Sequence, residues 1–137
     1  MEKYLKANIV FSKFSRTYME LKKDLPIRPS EMGVLNIITK RDGLFTPVMI
    51  SELLEVTKPM VANHVLVLEE KGYITKQYLE EDKRSFYVIP TDKAIELVNV
   101  TEKKLNEKLK VLEKTIGSKK FAELIDVLDK AKNCLED

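Results

Sequence analysis

The side chains most often used for chemistry are sparse in this 137-residue chain, which holds one histidine, His64, and one cysteine, Cys134. A structural zinc site takes four ligands drawn mostly from those two residue types, and a nucleophile needs a positioned base. Neither set can be assembled. No glycine-rich phosphate loop and no acidic pair in a recognisable motif appears either, so no metal, no cofactor and no catalysis are expected. His64 sits beside an apolar helical stripe and reads as a packed or capping side chain. Cys134 has no second thiol to pair with, and despite nearby Lys130 and Lys132 it reads as an ordinary cysteine on a terminal helix.

A second group of side chains suits a different chemistry, the recognition of a polyanion's backbone and of base edges. Asn63 carries the amide that pairs in bidentate fashion with adenine, and Pro59, Met60 and Ala62 offer apolar contact to a thymine methyl. No arginine for guanine stands near them. Lys83 and Arg84 form a cationic tip fit for an A·T minor groove or its phosphates, and Lys58 with the helix start at Thr46 fits phosphates. A charged tip is also what any solvated turn looks like, so the elements that hold these residues must decide.

Those elements can be read from apolar spacing. Residues 2 to 23 form a helix, with Ala7, Phe11, Phe14, Tyr18, Leu21 and Leu25 on one stripe and Leu25-Pro26 at its end. A second helix opens at Arg28-Pro29-Ser30-Glu31 and buries Met32, Val34, Leu35, Ile37 and Ile38. Leu44-Phe45 reads as a short strand. Thr46-Pro47 then caps a short helix carrying Ile50, Leu53 and Leu54, and Glu55-Val56-Thr57 turns into a fourth helix from Lys58 to about Lys71. Its inward stripe is Val61, Val65 and Leu68, which leaves Pro59, Asn63, Leu66 and Glu70 outward. Residues 73 to 79 and 85 to 90, rich in aromatic and β-branched types, form a hairpin around the charged residues 80–84. Thr91-Asp92 caps a long helix with Ile95, Val98, Leu105, Leu109, Leu112 and Ile116 on one side, and a last helix follows Gly117-Ser118.

The fold class is therefore mainly α, a winged helix-turn-helix at 28–91 flanked by helices at 1–26 and 92–137 within one domain. Composition agrees: 44% hydrophobic and 34% charged side chains, with 24 basic against 22 acidic, describe one ordinary folded domain. Positive charge is concentrated early, with 8 basic against 4 acidic residues over 1–40, then 6 against 8 over 41–90 and 10 against 10 over 91–137. The acidic middle third counts modestly against a nucleic-acid partner unless its cations share one surface. No apolar run is long enough to cross a membrane and the N-terminus has no signal-peptide core, so a cytoplasmic location is expected.

Residues 28 to 92 resemble the winged helix of the MarR family of bacterial transcriptional regulators. The resemblance rests on the apolar pattern of the third and fourth helices, on Leu68-Glu69-Glu70-Lys71-Gly72-Tyr73-Ile74, and on Asp82-Lys83-Arg84-Ser85, which matches that family's Asp-x-Arg wing. The flanking helices fit as well. It implies a homodimer on a pseudo-palindromic operator in double-stranded DNA, often released by a small-molecule effector or an oxidant. Two departures stand out. Lys76 occupies a place where the family often has an arginine paired with the wing aspartate, so a Lys76–Asp82 contact is at best monodentate. The family's usual Leu-Thr-x-x-Gly after the wing is replaced by Pro90-Thr91-Asp92-Lys93-Ala94.

The terminal helices carry more apolar stripe than a winged helix of this size can cover. Phe11, Phe14, Leu109, Leu112, Phe121, Leu124 and Leu128 are accordingly expected to include a core between two subunits. Tyr4, Phe11, Phe14 and Tyr18 could also floor a ligand crevice, although such a stripe is more often plain core. Together these residues predict a repressor that reads an A·T-rich site. The alternative is a winged helix that binds protein through Pro59, Leu66 and Val67 and has no specific DNA site.

Overall fold

Thr46-Pro47 and Thr57-Lys58-Pro59 each start a helix by the same means. The threonine hydroxyl accepts a backbone N–H of the first turn, and a proline fills a position whose own N–H would have had no partner. In the computed structural model, which describes residues 1–136, Thr46 Oγ1 accepts from Met49 N at 3.3 Å and Thr57 Oγ1 from Met60 N at 3.3 Å. These caps open α3 (Pro47–Leu54) and α4 (Lys58–Glu70). Ahead of them lie α1 (Lys3–Glu20) and α2 (Pro29–Lys40). The Glu2 carboxylate caps α1 by accepting from Tyr4 N and Leu5 N, both at 2.8 Å, and Glu31 reaches back to Arg28 N at 2.9 Å to close the start of α2.

The first helix stops earlier than its stripe predicts, at Glu20 instead of residue 23. Leu21, Lys22 and Lys23 bond to carbonyls three residues back, a tightened last turn before Leu25-Pro26, where a helical backbone is disfavoured.

After α4 the chain forms an antiparallel hairpin, β1 (Ile74–Tyr78) and β2 (Phe86–Pro90), in the register Ile74 with Pro90, Lys76 with Val88 and Tyr78 with Phe86. The short strand expected at Leu44-Phe45 does not form. A single backbone bond replaces it: Val88 N donates to the Phe45 carbonyl at 2.8 Å, while the Phe45 side chain is buried. One bond joins the segment to the sheet without making a ladder, so the order is helix, helix, helix, helix, hairpin, helix, helix. The last two are α5 (Asp92–Ile116) and α6 (Ser118–Leu135), joined at Gly117, whose positive φ of 93° is one that glycine adopts readily.

The chain divides into two compact units, one to Val100 and one from Thr101 onward. The first unit has a continuous core built from every element that reaches it: Leu35 from α2, Ile50 from α3, Val61 and Leu68 from α4, Ile74 and Val88 from the hairpin, and Val98 from α5. The inward stripe expected for α4 is the observed one. α1 buries no residue fully, and Phe11 and Phe14 are 65% and 49% exposed. In the second unit no described residue is buried. Leu105, Leu109, Leu112, Phe121 and Leu124 are half-buried, and Val111, Ile125, Val127 and Leu128 are exposed.

The turn between α3 and α4 passes through Glu55 at φ 57° and ψ 45°, the one left-handed non-glycine residue among those described. A side chain in that conformation costs on the order of 1 kcal/mol, which glycine avoids in exchange for some chain entropy. Glu55→Gly is expected to stabilise the protein by about 0.5 kcal/mol, read as a raised urea midpoint. A lowered midpoint would show that the contact made by the Glu55 side chain outweighs the backbone relief.

Candidate nucleic-acid interface

Burial of Val61, His64, Val65 and Leu68 fixes the rotation of α4 about its axis, and that rotation alone sets which residues face away. Lys58, Pro59, Met60, Ala62 and Asn63 are all exposed, so the five positions predicted to face a ligand form an open surface beginning at the helix N-terminus. Thr46 is half-buried at the start of α3, with its hydroxyl spent on the cap. Both helices thus present the positive ends of their dipoles.

The hairpin tip is ordered by Asp82. Its Oδ1 accepts from Arg84 N at 3.0 Å, its Oδ2 from the Ser85 hydroxyl at 3.1 Å, and its carbonyl from Ser85 N at 3.0 Å. Arg84 Nε lies 3.5 Å from the same carboxylate while the arginine side chain is 94% exposed. The Asp-Lys-Arg-Ser run is therefore a turn with an internal cap, which shows Lys83 and Arg84 to solvent from a fixed backbone. The Arg84 N–H, the Ser85 hydroxyl and the Arg84 side chain hold the Asp82 carboxyl below the ordinary carboxylate value. Because the folded value is the lower one, this carboxylate supports the turn fully above its unfolded pKa of about 3.9 and that support is lost as pH falls through the folded value. An acid titration followed by NMR is expected to move the Arg84 and Ser85 amides with Asp82, and amides that stay put would remove the aspartate from the turn.

The Lys76–Asp82 contact that the sequence allows is not made. Lys76 Nζ is 3.5 Å from Glu69 Oε1 and 4.9 Å from the centroid of the Phe86 ring. The aspartate's oxygens are taken within its own turn, and Glu69, on the last turn of α4, is the acid within the lysine's reach. Lys76 therefore supports the base of the hairpin against α4, and Asp82 supports the tip. Tyr78 packs on Phe86 between them, with ring centroids 5.6 Å apart.

His64 is buried, with Nδ1 lacking a hydrogen-bond partner, in the core-facing stripe and away from the exposed residues of α4. Cys134 is exposed. Tyr4, Phe11 and Phe14 are open to solvent, so this stripe does not floor a crevice within the chain, and Phe14 stacks on Tyr18 at 6.3 Å. No group of three or more potential metal ligands occurs among the described residues, and no helix there is long and apolar enough to cross a membrane.

One joint escaped the sequence reading. Past α4, the Thr91 hydroxyl donates to the Gly72 carbonyl at 2.8 Å and accepts from Ala94 N at 3.3 Å, and Thr91 N donates to the Tyr73 carbonyl at 3.0 Å. Lys93 Nζ donates to the Lys71 carbonyl at 2.6 Å and lies 4.4 Å from the centre of the Tyr73 ring. The signal was Pro90-Thr91-Asp92-Lys93, which reads as a helix cap. Its second use, on the end of α4, depends on the hairpin bringing its two ends together.

A helix-turn-helix whose second helix exposes its N-terminal face, followed at once by a braced hairpin, defines a winged helix-turn-helix. Residues 25–85 match the sequence model of the MarR family. Comparison with curated proteins gives no match. Among solved structures the fold is similar to that of Streptococcus pneumoniae FabT in complex with DNA, at TM-score 0.79 and 23% identity over 98% of this chain and 99% of that one. It is also similar to the S. aureus MepR–DNA complex, at TM-score 0.74 and 22% identity over 97% and 96%. MepR described as a transcription regulator of the multidrug efflux pump MepA aligns at TM-score 0.72 and 17% identity over 99% and 100%. At these identities the likeness is one of fold.

Proposed function

We propose that the chain is a sequence-specific DNA-binding transcriptional regulator, a cytoplasmic repressor that acts as a homodimer on a pseudo-palindromic, A·T-rich operator. The observation that carries this reading is the pairing of an exposed α4 N-terminal face, at Lys58 to Asn63, with a wing tip whose aspartate fixes the backbone under Lys83 and Arg84. FabT and MepR, which share the fold, were solved bound to DNA. Asn63 reads adenine, Pro59, Met60 and Ala62 meet thymine methyls, Arg84 and Lys83 take the minor groove or its phosphates, and Lys58 with the α3 start at Thr46 takes phosphates. The exposed apolar stripes of α1 and α6 support a second copy as the partner that covers them. A small-molecule effector that releases the operator belongs to this reading, and a catalytic role does not.

The test is selection of binding sites from a random duplex pool at near-physiological salt. The expected result is an A·T-rich inverted repeat with half-sites about 10 bp apart. Exposure of Met49, Leu53, Met60 and Leu66 on α3 and α4 favours the second reading, a protein-binding module. Titration of the best site at several salt concentrations separates the two, because several phosphates neutralised per dimer give a steep loss of affinity. Arg84→Ala is expected to weaken binding about tenfold on all A·T-rich sequences and to flatten that salt dependence. Unchanged affinity would take the wing out of the mechanism.

A further inference from the structure

The charges at the end of α4 run against the helix dipole. Its last turn carries Glu69 and Glu70 and no lysine or arginine, although the carbonyls of a helix end make that pole negative and favour a cation. The cap residue Lys71 does not supply one, because its ammonium turns away to the Pro26 carbonyl at 3.3 Å. Two lysines from the elements that follow do. Lys76 on β1 reaches Glu69 Oε1 at 3.5 Å, and Lys93, in the first turn of α5, donates to the Lys71 carbonyl at 2.6 Å with its ammonium 4.4 Å from the centre of the Tyr73 ring. Of the two, Lys93 makes the more exacting contact. A partly exposed ion pair is loose, whereas a short charge-assisted bond to a carbonyl is directed, and the ring face restrains the ammonium further. Tyr73 is itself buried, so the ring that receives the ammonium is fixed to the core.

Core burial sets how α4 is turned about its axis, and its two ends set how it tilts. With 13 residues α4 spans roughly 20 Å, so a tilt of about 3° pivoting at Lys71 moves Lys58 by about 1 Å and Asn63 by over half that. A bidentate contact to a base edge does not survive such a shift, whereas a flexible lysine follows a phosphate. We propose that Lys93 is a positioning residue for the α4 face: by holding the Lys71 carbonyl it sets the tilt that brings Asn63 to its base. Its effect falls on discrimination between sequences and not on general attraction to a polyanion. This use rests on the DNA-binding function proposed above, while the hold of Lys93 on α4 is measurable without DNA.

The experiment compares Lys93→Met, which keeps an aliphatic stem over Tyr73 and removes the ammonium, with Lys93→Arg, which restores a donor and a cation for the same ring. In amide NMR of the full chain without DNA, Lys93→Met is expected to shift residues 71–73 and, along the helix, 58–63. The melting temperature should hold, because Lys93 is exposed and water takes the vacated carbonyl. Lys93→Arg is expected to return both sets of amides close to their wild-type positions. Shifts that stop at 71–73 would overturn the proposal. On the selected operator, Lys93→Met is expected to lose about tenfold of its preference over a site mismatched at the adenine of Asn63, with the salt dependence of binding unchanged and the preference recovered in Lys93→Arg. A flattened salt dependence would make Lys93 a phosphate contact, and an equal loss on both sites would make it a residue of general stability; either result overturns the positioning role. A wild-type chain that selects no site, with shifts that still reach 58–63 in Lys93→Met, would reject the regulator reading and uphold the hold of Lys93 on the α4 face.

Discussion

Leu124→Lys is expected to convert a two-chain species into single chains by sedimentation, and to lower operator affinity by at least about a hundredfold. The first effect follows from burial. Leu124 is half-buried on α6, within a unit where Ile125, Val127 and Leu128 stay exposed. A second copy that covers this helix would enclose position 124, and a lysine there would be an unpaired charge out of water. The second effect follows from linkage. Two recognition helices joined in one dimer bind the second half-site as an intramolecular event, and separate chains lose that effective concentration. A variant that sediments as a dimer would place the interface elsewhere. A monomeric variant with full affinity would show that one winged helix suffices.

Asn63→Ala is the second large effect. One bidentate amide contact to adenine discriminates by about 1–3 kcal/mol, and a dimer on an inverted repeat makes it twice. The expected loss on the selected site is therefore on the order of a hundredfold, and sites already mismatched at that adenine should lose much less. Asn63 is exposed on the surface opposite the buried Val61 and Val65, so the truncation leaves the core untouched and the melting temperature should hold. A uniform loss across all sequences would mean that the amide holds a phosphate.

What could be read from the sequence depended on how far apart the interacting groups lie along it. Thr46 and Thr57 cap helices that begin one residue later, and the wing turn closes within Asp82, Arg84 and Ser85, so residue type and short spacing were enough. The rotation of α4 was legible because its inward stripe repeats at the helical period. Contacts between distant segments were not. The Phe45–Val88 bond that replaces a strand depends on where the hairpin passes, and the choice of Glu69 over Asp82 by Lys76 depends on the angle at which β1 leaves α4. The Tyr4 to Tyr18 stripe reads as plain core sooner than as the floor of a crevice, yet Tyr4, Phe11 and Phe14 are open to solvent, which apolar spacing alone does not reveal.

The threonine that closes the joint after α4 also governs how the two contact elements move. β1 starts two residues after Gly72 and β2 ends at Pro90, so both strands of the hairpin are rooted where Thr91 grips Gly72 and Tyr73. Helix and hairpin are thereby mounted on one pivot, like two blades of a single clamp, and neither can swing without carrying the other. On the DNA-binding reading proposed above, departure from a duplex is expected to be concerted, with dissociation traces that follow one exponential. Thr91→Val keeps the shape and removes the hydroxyl bonds to Gly72 and Ala94 while the Thr91 N–H and Lys93 bonds remain, so the joint is loosened without being cut and the melting temperature is expected to fall.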